Sequence, residues 1–233
     1  MYNKEEAVSV SEVKSVQSVL FRQVFVWMAF ALAITGLTAM TVVETPSLLM
    51  GIIGNMPVFL GLLIGEIVLV LILSSCIRKM SFTVATVMFI LYSVVNGATM
   101  SVYLLVYTME SVASTFFITA GMFGAMAFIG ATTKKDLSSW GSLLMMALVG
   151  LIIATVVNIF MESTMLYWII TYAGVILFVG LTTYDAQFVK RTLAMQEEIN
   201  DDSKKVALLG ALSLYLDFIN LFIYLLRIFG KRK

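Results

Sequence analysis

Seven apolar runs, each of about twenty residues and so of bilayer-spanning length, constrain this chain more than anything else in it. Within hydrocarbon every backbone N–H and C=O must be satisfied internally, which restricts a spanning segment to a helix or a closed barrel. The runs are continuous rather than alternating, so the expected fold is all-α: a polytopic membrane protein, read as one domain. Composition agrees. The 233 residues are 61% hydrophobic and only 12% charged, too few charges to cover a water-soluble domain.

The predicted spans are about 23–43, 58–77, 82–107, 112–131, 142–160, 165–188 and 206–229. Residues 1–22 read as a polar N-terminal arm, in which Val13, Val16, Val19 and Leu20 suggest a short amphipathic helix on the membrane surface. Residues 23–230 form the membrane domain and 231–233 a basic tail. No signal peptide is expected at the start, so the first span should direct insertion. Glu44 to Pro57 holds both prolines and reads as a loop. Ala120, Gly124, Ala127 and Ala131 form a small-residue stripe in the fourth span, suited to close helix approach.

Basic residues set the orientation. Lys4, Lys14 and Arg22 lie in the arm, and alternate loops carry Arg78 and Lys79, Lys134 and Lys135, then Lys190, Arg191, Lys204 and Lys205. The loops around Glu44, Glu110 and Glu162 carry none. The N-terminus is therefore expected in the cytoplasm. Arg227, Lys231, Arg232 and Lys233 conflict with this. Seven full spans place them outside, and a last segment that folds back would return them. Seven spans are favoured because early loops dominate orientation.

Several function classes drop out. Cys76 is the single cysteine and there is no histidine. An intrachain disulfide, a Cys/His zinc or haem site, and Ser-His-Asp or Cys-His catalysis cannot be built. Sensing of pH near neutrality falls to carboxylates, since the usual side chain for it is missing. A net charge of +1 gives no electrostatic case for nucleic acid.

Four ionisable residues inside or at the ends of spans need an account, because such groups face cavities, partners or water. Glu66 lies eight residues into the second span, about 12 Å along it, and Arg78 closes that span about 18 Å further on. Glu66 reads as lining a hydrated pathway; Arg78, by itself, reads as a snorkelling end residue. Asp185 lies about 7–8 Å from the inner loop, whereas Asp217 is about 18 Å past Lys205. The two depths differ by about 10 Å, so pairing requires the seventh helix to start in the cytosol or to tilt. Two carboxylates sharing a site cannot both ionise cheaply, and the pair keeps a proton. Arg78 is near enough to the inner end to reach an ionised Asp185. Asn96, Asn158, Asn220, Tyr184 and Tyr215 are further candidates for hydrogen bonds, none singled out.

At these residues the chain resembles a known family. GLTTYDAQ (Gly180 to Gln187) followed by ALSLYLDFINLFIYLLRIFG (Ala211 to Gly230) is similar to the Bax inhibitor-1, or transmembrane Bax inhibitor motif, family. TTKKDLSSWG (Thr132 to Gly141) fits the loop after its fourth helix. The resemblance runs from about residue 20 to the end, and the short polar N-terminus and compact loops look most like bacterial members. It implies seven transmembrane helices with the C-terminal helix central, in a bacterial inner membrane. It also implies a pH-sensitive calcium leak. Asp185 and Asp217 match the paired aspartates of its proton sensor. Arg78 resembles the basic latch that pairs with the aspartate of the sixth helix, and Glu66 resembles the acid proposed to line the calcium path.

Calcium takes carboxylate and carbonyl oxygens. The few buried acids suit a weak transit site near Asp185 and Asp217 rather than a tight metal cage, and calcium is expected as the transported ion, with no cofactor. No phosphate-binding loop of an ATPase is present, which excludes a pump. The expected partners are membrane lipid, calcium and a possible membrane protein. The alternative function is a non-conducting regulator that binds membrane proteins such as a membrane-bound ATP-dependent protease, with the arm as its handle. An enzyme is not expected. An intramembrane aspartyl protease would need Gly-x-Gly-Asp where this chain has Tyr215-Leu216-Asp217, and a retinal protein would need a central lysine in the last span.

Overall fold

The computed structural model describes residues 2–233, with side chains from Val13 onward. It contains eight α-helices among the described residues: α1 (Tyr2–Glu44), α2 (Pro46–Ile52), α3 (Met56–Cys76), α4 (Phe82–Val106), α5 (Met109–Thr132), α6 (Trp140–Met161), α7 (Thr164–Leu193) and α8 (Asp201–Phe229). All but α2 contain stretches long and apolar enough to cross a membrane, seven in total. The protein is an all-α, multi-pass membrane protein.

Element boundaries depart from the sequence reading where local chemistry overrides hydropathy. The N-terminal arm is not a separate surface helix, because α1 runs unbroken from Tyr2 to Glu44. The stretch Glu44 to Pro57 is not all loop. Thr45 is extended and Pro46 stands in the first turn of α2, where its fixed φ and missing N–H are tolerated. The last helix starts at Asp201 rather than near residue 206. The Ser203 N–H donates to Asn200 Oδ1 and the Asn200 N–H to Ser203 Oγ, each at 2.9 Å. This is a reciprocal cap that satisfies two otherwise orphaned donors. Asp201 and Asp202 in the first turn complement the helix dipole.

The chain divides into two compact units, each with its own core. The first comprises Met1–Val106 and Val189–Tyr215. In it α1 packs on α4 through Gly97, where a methyl group would stand 2.6 Å from the Thr35 carbonyl oxygen. Leu73 and Ile77 at the end of α3 meet Phe89 of α4 and Leu208 and Leu212 of α8 around one small apolar gap. Polar ties hold the loop end. Gln17 Nε2 donates to the Ala194 carbonyl at 2.7 Å. Lys205 is buried; its ammonium donates to the Met80 carbonyl at 3.2 Å and pairs with Asp202 at 2.7 Å.

The second unit comprises Tyr107–Phe188 and Leu216–Lys233. Phe218 of α8 meets Phe116 and Phe123 of α5 edge-on, with centroids 5.4 and 5.5 Å apart. Tyr224 stacks on Phe178 and lies over Gly174 of α7, where a Cβ would be 2.6 Å from its ring. The predicted stripe on α5 is displaced by about one position. Gly124 faces open space, and the buried positions are Thr115, Thr119, Phe123, Ala127 and Gly130. The aromatic contact of Phe123 and the closeness of Gly130 to the Thr183 carbonyl fix that face. At the chain end, the Thr108 N–H donates to the Lys231 carbonyl at 3.0 Å, and the Lys231 N–H to Ser111 Oγ at 2.9 Å. The basic tail is thus fastened beside Glu110, at the base-free turn between α4 and α5. With α8 uninterrupted, this rules out a last segment that folds back.

Candidate functional site

Two polar centres lie within the apolar helices, one in each unit. In the second unit the centre is an acid pair. Asp217 is only 4% exposed, and its Oδ2 has no hydrogen-bond partner. Asp185 on α7 is half-buried and lies near enough to act on Asp217 electrostatically. By the sequence, pairing requires the last helix to begin in the cytosol or to tilt; α8 begins at Asp201. A buried carboxyl oxygen without a donor must take a proton, a cation or water.

The motif around Asp185 separates into chemistry and scaffolding. Gly180 lets Leu144 of α6 approach to 3.0 Å of where a Cβ would stand. Thr182 and Thr183 return their hydroxyls to the carbonyls of Phe178 and Val179, at 2.7 and 2.9 Å. Tyr184 lies against Gly141 and stacks on Phe188. Gln187 clamps the loop that precedes α6, accepting from the Leu137 N–H at 2.9 Å and donating to the Lys135 carbonyl at 2.8 Å. The aspartate is left as the ionisable group of the motif, on a helix whose rotation its neighbours hold.

In the first unit the centre is Glu66 on α3. Its carboxylate accepts hydrogen bonds from Thr99 Oγ1 and the Asn96 side chain on α4. Behind Asn96 stands Tyr215 of α8, whose hydroxyl donates to Asn96 Oδ1 at 2.8 Å. Thr35 Oγ1 of α1 is 2.7 Å from the same phenol oxygen. Tyr215 has one hydroxyl proton. Given to Asn96 Oδ1, it leaves the amide N–H₂ to face Glu66, and the phenol oxygen lies beside a Thr35 hydroxyl that also reaches the carbonyls of Ala31 and Ser93, at 2.9 and 3.1 Å. Four helices therefore join in one buried relay that ends on a carboxylate. Phe89 and Tyr92 hold the Tyr215 ring edge-on, with centroids at 6.0 and 5.8 Å.

Arg78 sits exposed in the short 3₁₀ turn Ile77–Lys79 that closes α3. Of the five unranked hydrogen-bonding candidates, Asn96 and Tyr215 serve Glu66. Asn158 accepts from the Ser163 N–H at 3.1 Å, Asn220 donates to the Leu216 carbonyl of its own helix at 2.8 Å, and Tyr184 packs. Thr35 and Thr99 were missed. Threonine in a membrane helix commonly returns its hydroxyl to the preceding turn, and its spacing alone carries no sign of a partner on another helix. Among the described residues no three acidic, cysteine or histidine side chains cluster as a metal site.

Comparison with known proteins places the chain among relatives. The family model described as "Inhibitor of apoptosis-promoting Bax1" matches residues 16–233. The chain is 47% identical over 213 residues to "Inner membrane protein YbhL" of Escherichia coli (strain K12), covering 91% of each. It is 39% identical over 211 residues to a protein of Borreliella burgdorferi, again covering 91% of each. A protein of Deinococcus radiodurans is 34% identical over 234 residues, the full length of both.

Proposed function

The chain belongs to the Bax inhibitor-1 family, and from that membership we propose that it is a pH-sensitive calcium leak of the bacterial inner membrane, with Asp185 and Asp217 as its proton sensor. The observation that carries this reading is the buried, unpartnered Oδ2 of Asp217 within the field of Asp185. Such a pair exchanges protons or cations rather than standing as two bare anions.

The gate works by charge. With Asp185 ionised, Arg78 is attracted to it at the cytoplasmic end and latches the path shut. Acid protonates Asp185, the attraction is lost, and the leak rises as pH falls. Glu66 lines the ion path, its carboxylate held in place by Asn96 and Thr99. Calcium passes as cargo. The two aspartates offer fewer oxygens than the about six to eight that calcium takes, so it keeps part of its water and is held weakly. The N-terminus faces the cytoplasm, and neither a cofactor nor catalysis is involved.

Purified protein in liposomes should pass calcium faster at mildly acid than at mildly alkaline pH, and Asp217→Asn should flatten that dependence. Flux no greater than through protein-free liposomes at every pH would end the proposal.

The length of α1 favours a second reading. Its 43 residues span about 65 Å at 1.5 Å per residue, twice what a bilayer core needs. The surplus offers a handle to a membrane protein partner such as an ATP-dependent protease. Deleting residues 2–12 should then abolish co-purification of that partner while leaving calcium flux intact; undiminished co-purification counts against it.

A further inference from the structure

At the end of α7 remote from Asp185, a half-open cavity of about 600 Å³ is lined by Arg227 and Arg232 together with Asn158, Glu162, Tyr167 and Trp168. We propose that this cavity binds a phosphate-bearing anion, the headgroup of an anionic phospholipid or a soluble phosphate, between the guanidinium groups of Arg227 and Arg232.

The two arginines are held by tyrosines, which fix a guanidinium without cancelling its charge. The Arg227 guanidinium lies over the rings of Tyr167 and Tyr224, 5.5 and 5.1 Å from their centroids. Arg232 donates to the hydroxyls of Tyr107 and Tyr167. Tyr167 thus holds one arginine with its face and the other with its oxygen. Glu162 is the one acid in the lining. It is exposed, and among the described residues it forms no ion pair with either arginine. Two like charges brought together around one cavity and matched by neutral partners are arranged for an anion, and guanidinium forks suit phosphate oxygens best.

The surroundings match the headgroup level of a bilayer. Trp168 is 39% exposed and stacks on Tyr172, itself 54% exposed. Aromatic pairs of this kind concentrate at the membrane–water boundary. The first turn of α7, capped by Ser163 Oγ, also opens onto the cavity and adds the positive end of its dipole. The cavity size falls within the range of about 300–1,000 Å³ usual for small-molecule sites.

The test uses the full chain in neutral detergent, with the thermal unfolding midpoint read during titration. The probes are short-chain phosphatidylglycerol, short-chain phosphatidylcholine and inorganic phosphate. Phosphatidylglycerol should raise the midpoint and phosphatidylcholine should not. Arg227→Gln and Arg232→Gln should each weaken the apparent affinity about tenfold, and Arg191→Gln, at the other end of α7, should leave it unchanged. A shift with inorganic phosphate at similar concentration assigns the site to a soluble anion; a shift with phosphatidylglycerol alone assigns it to lipid. Should Arg227→Gln fail to fold, Arg232→Gln decides, since Arg232 is exposed and beyond the last helix. The site is refuted if neither anion shifts the wild type, or if Arg232→Gln responds as Arg191→Gln does.

Discussion

Tyr215 and Asp217 stand two residues apart on α8, about 200° around the helix from one another, so they face nearly opposite ways. One completes the relay to Glu66 and the other meets the field of Asp185. Their substitutions should therefore read differently. Tyr215→Phe keeps the ring contacts with Phe89 and Tyr92 but leaves Asn96 Oδ1 without its donor. It should lower stability by about 1 kcal/mol, the scale of a hydrogen bond between membrane helices, seen as a lower unfolding midpoint in detergent. It should also reduce calcium flux at all pH values without moving the pH at which flux rises, because it disturbs the path acid and not the sensor. A shifted pH response in Tyr215→Phe would mean that the two centres are not independent. The acids themselves were legible in the sequence, since a carboxylate in an apolar run cannot be hidden. Of the groups around Glu66, the sequence names Asn96 and Tyr215 only among five unranked candidates and does not point to Thr35 or Thr99. Thr35, Asn96, Thr99 and Tyr215 come from three helices, and nothing in their spacing says that they converge.

Among the elements, spans were easier to read than their ends. Hydropathy locates a run of apolar residues, whereas Asn200 and Ser203 decide where α8 begins and Pro46 starts a short helix in an expected loop. Asn200→Ala should cost about 1 kcal/mol as a lost cap, and by fraying the start of α8 it should speed amide hydrogen exchange there. Unchanged exchange over residues 201–205 would count against the cap. The packing face of α5 shares Ala127 with the small-residue stripe but is set by Phe123 and Gly130, which make the close contacts. Gly97 shows where a small residue is needed. Gly97→Ala should destabilise by about 1–3 kcal/mol through collision with the α1 backbone, and Gly124→Ala, facing open space, should be neutral. Equal effects from the two would contradict the helix contacts described.

For the whole molecule, alternate loops carry the lysines and arginines, and the tail lies beside the base-free turn of Glu110. With Cys76 replaced by serine, Glu110→Cys should react with a membrane-impermeant maleimide from outside intact spheroplasts, and Lys134→Cys only after permeabilisation. The reverse pattern would invert the proposed gate, placing Asp185 on the outer side. The family resemblance, carried by GLTTYDAQ and the final helix, was legible from sequence and agrees with the family match over residues 16–233. The central claim is that the aspartate pair senses protons for a calcium leak. It is tested most directly by calcium flux into liposomes as a function of pH, for the wild type and for Asp185→Asn. The account predicts a wild-type flux that rises with acidity and an Asp185→Asn flux that is already high at alkaline pH and insensitive to acid, since the amide can neither hold the latch nor take up the proton. An Asp185→Asn variant with the wild-type pH profile would contradict it.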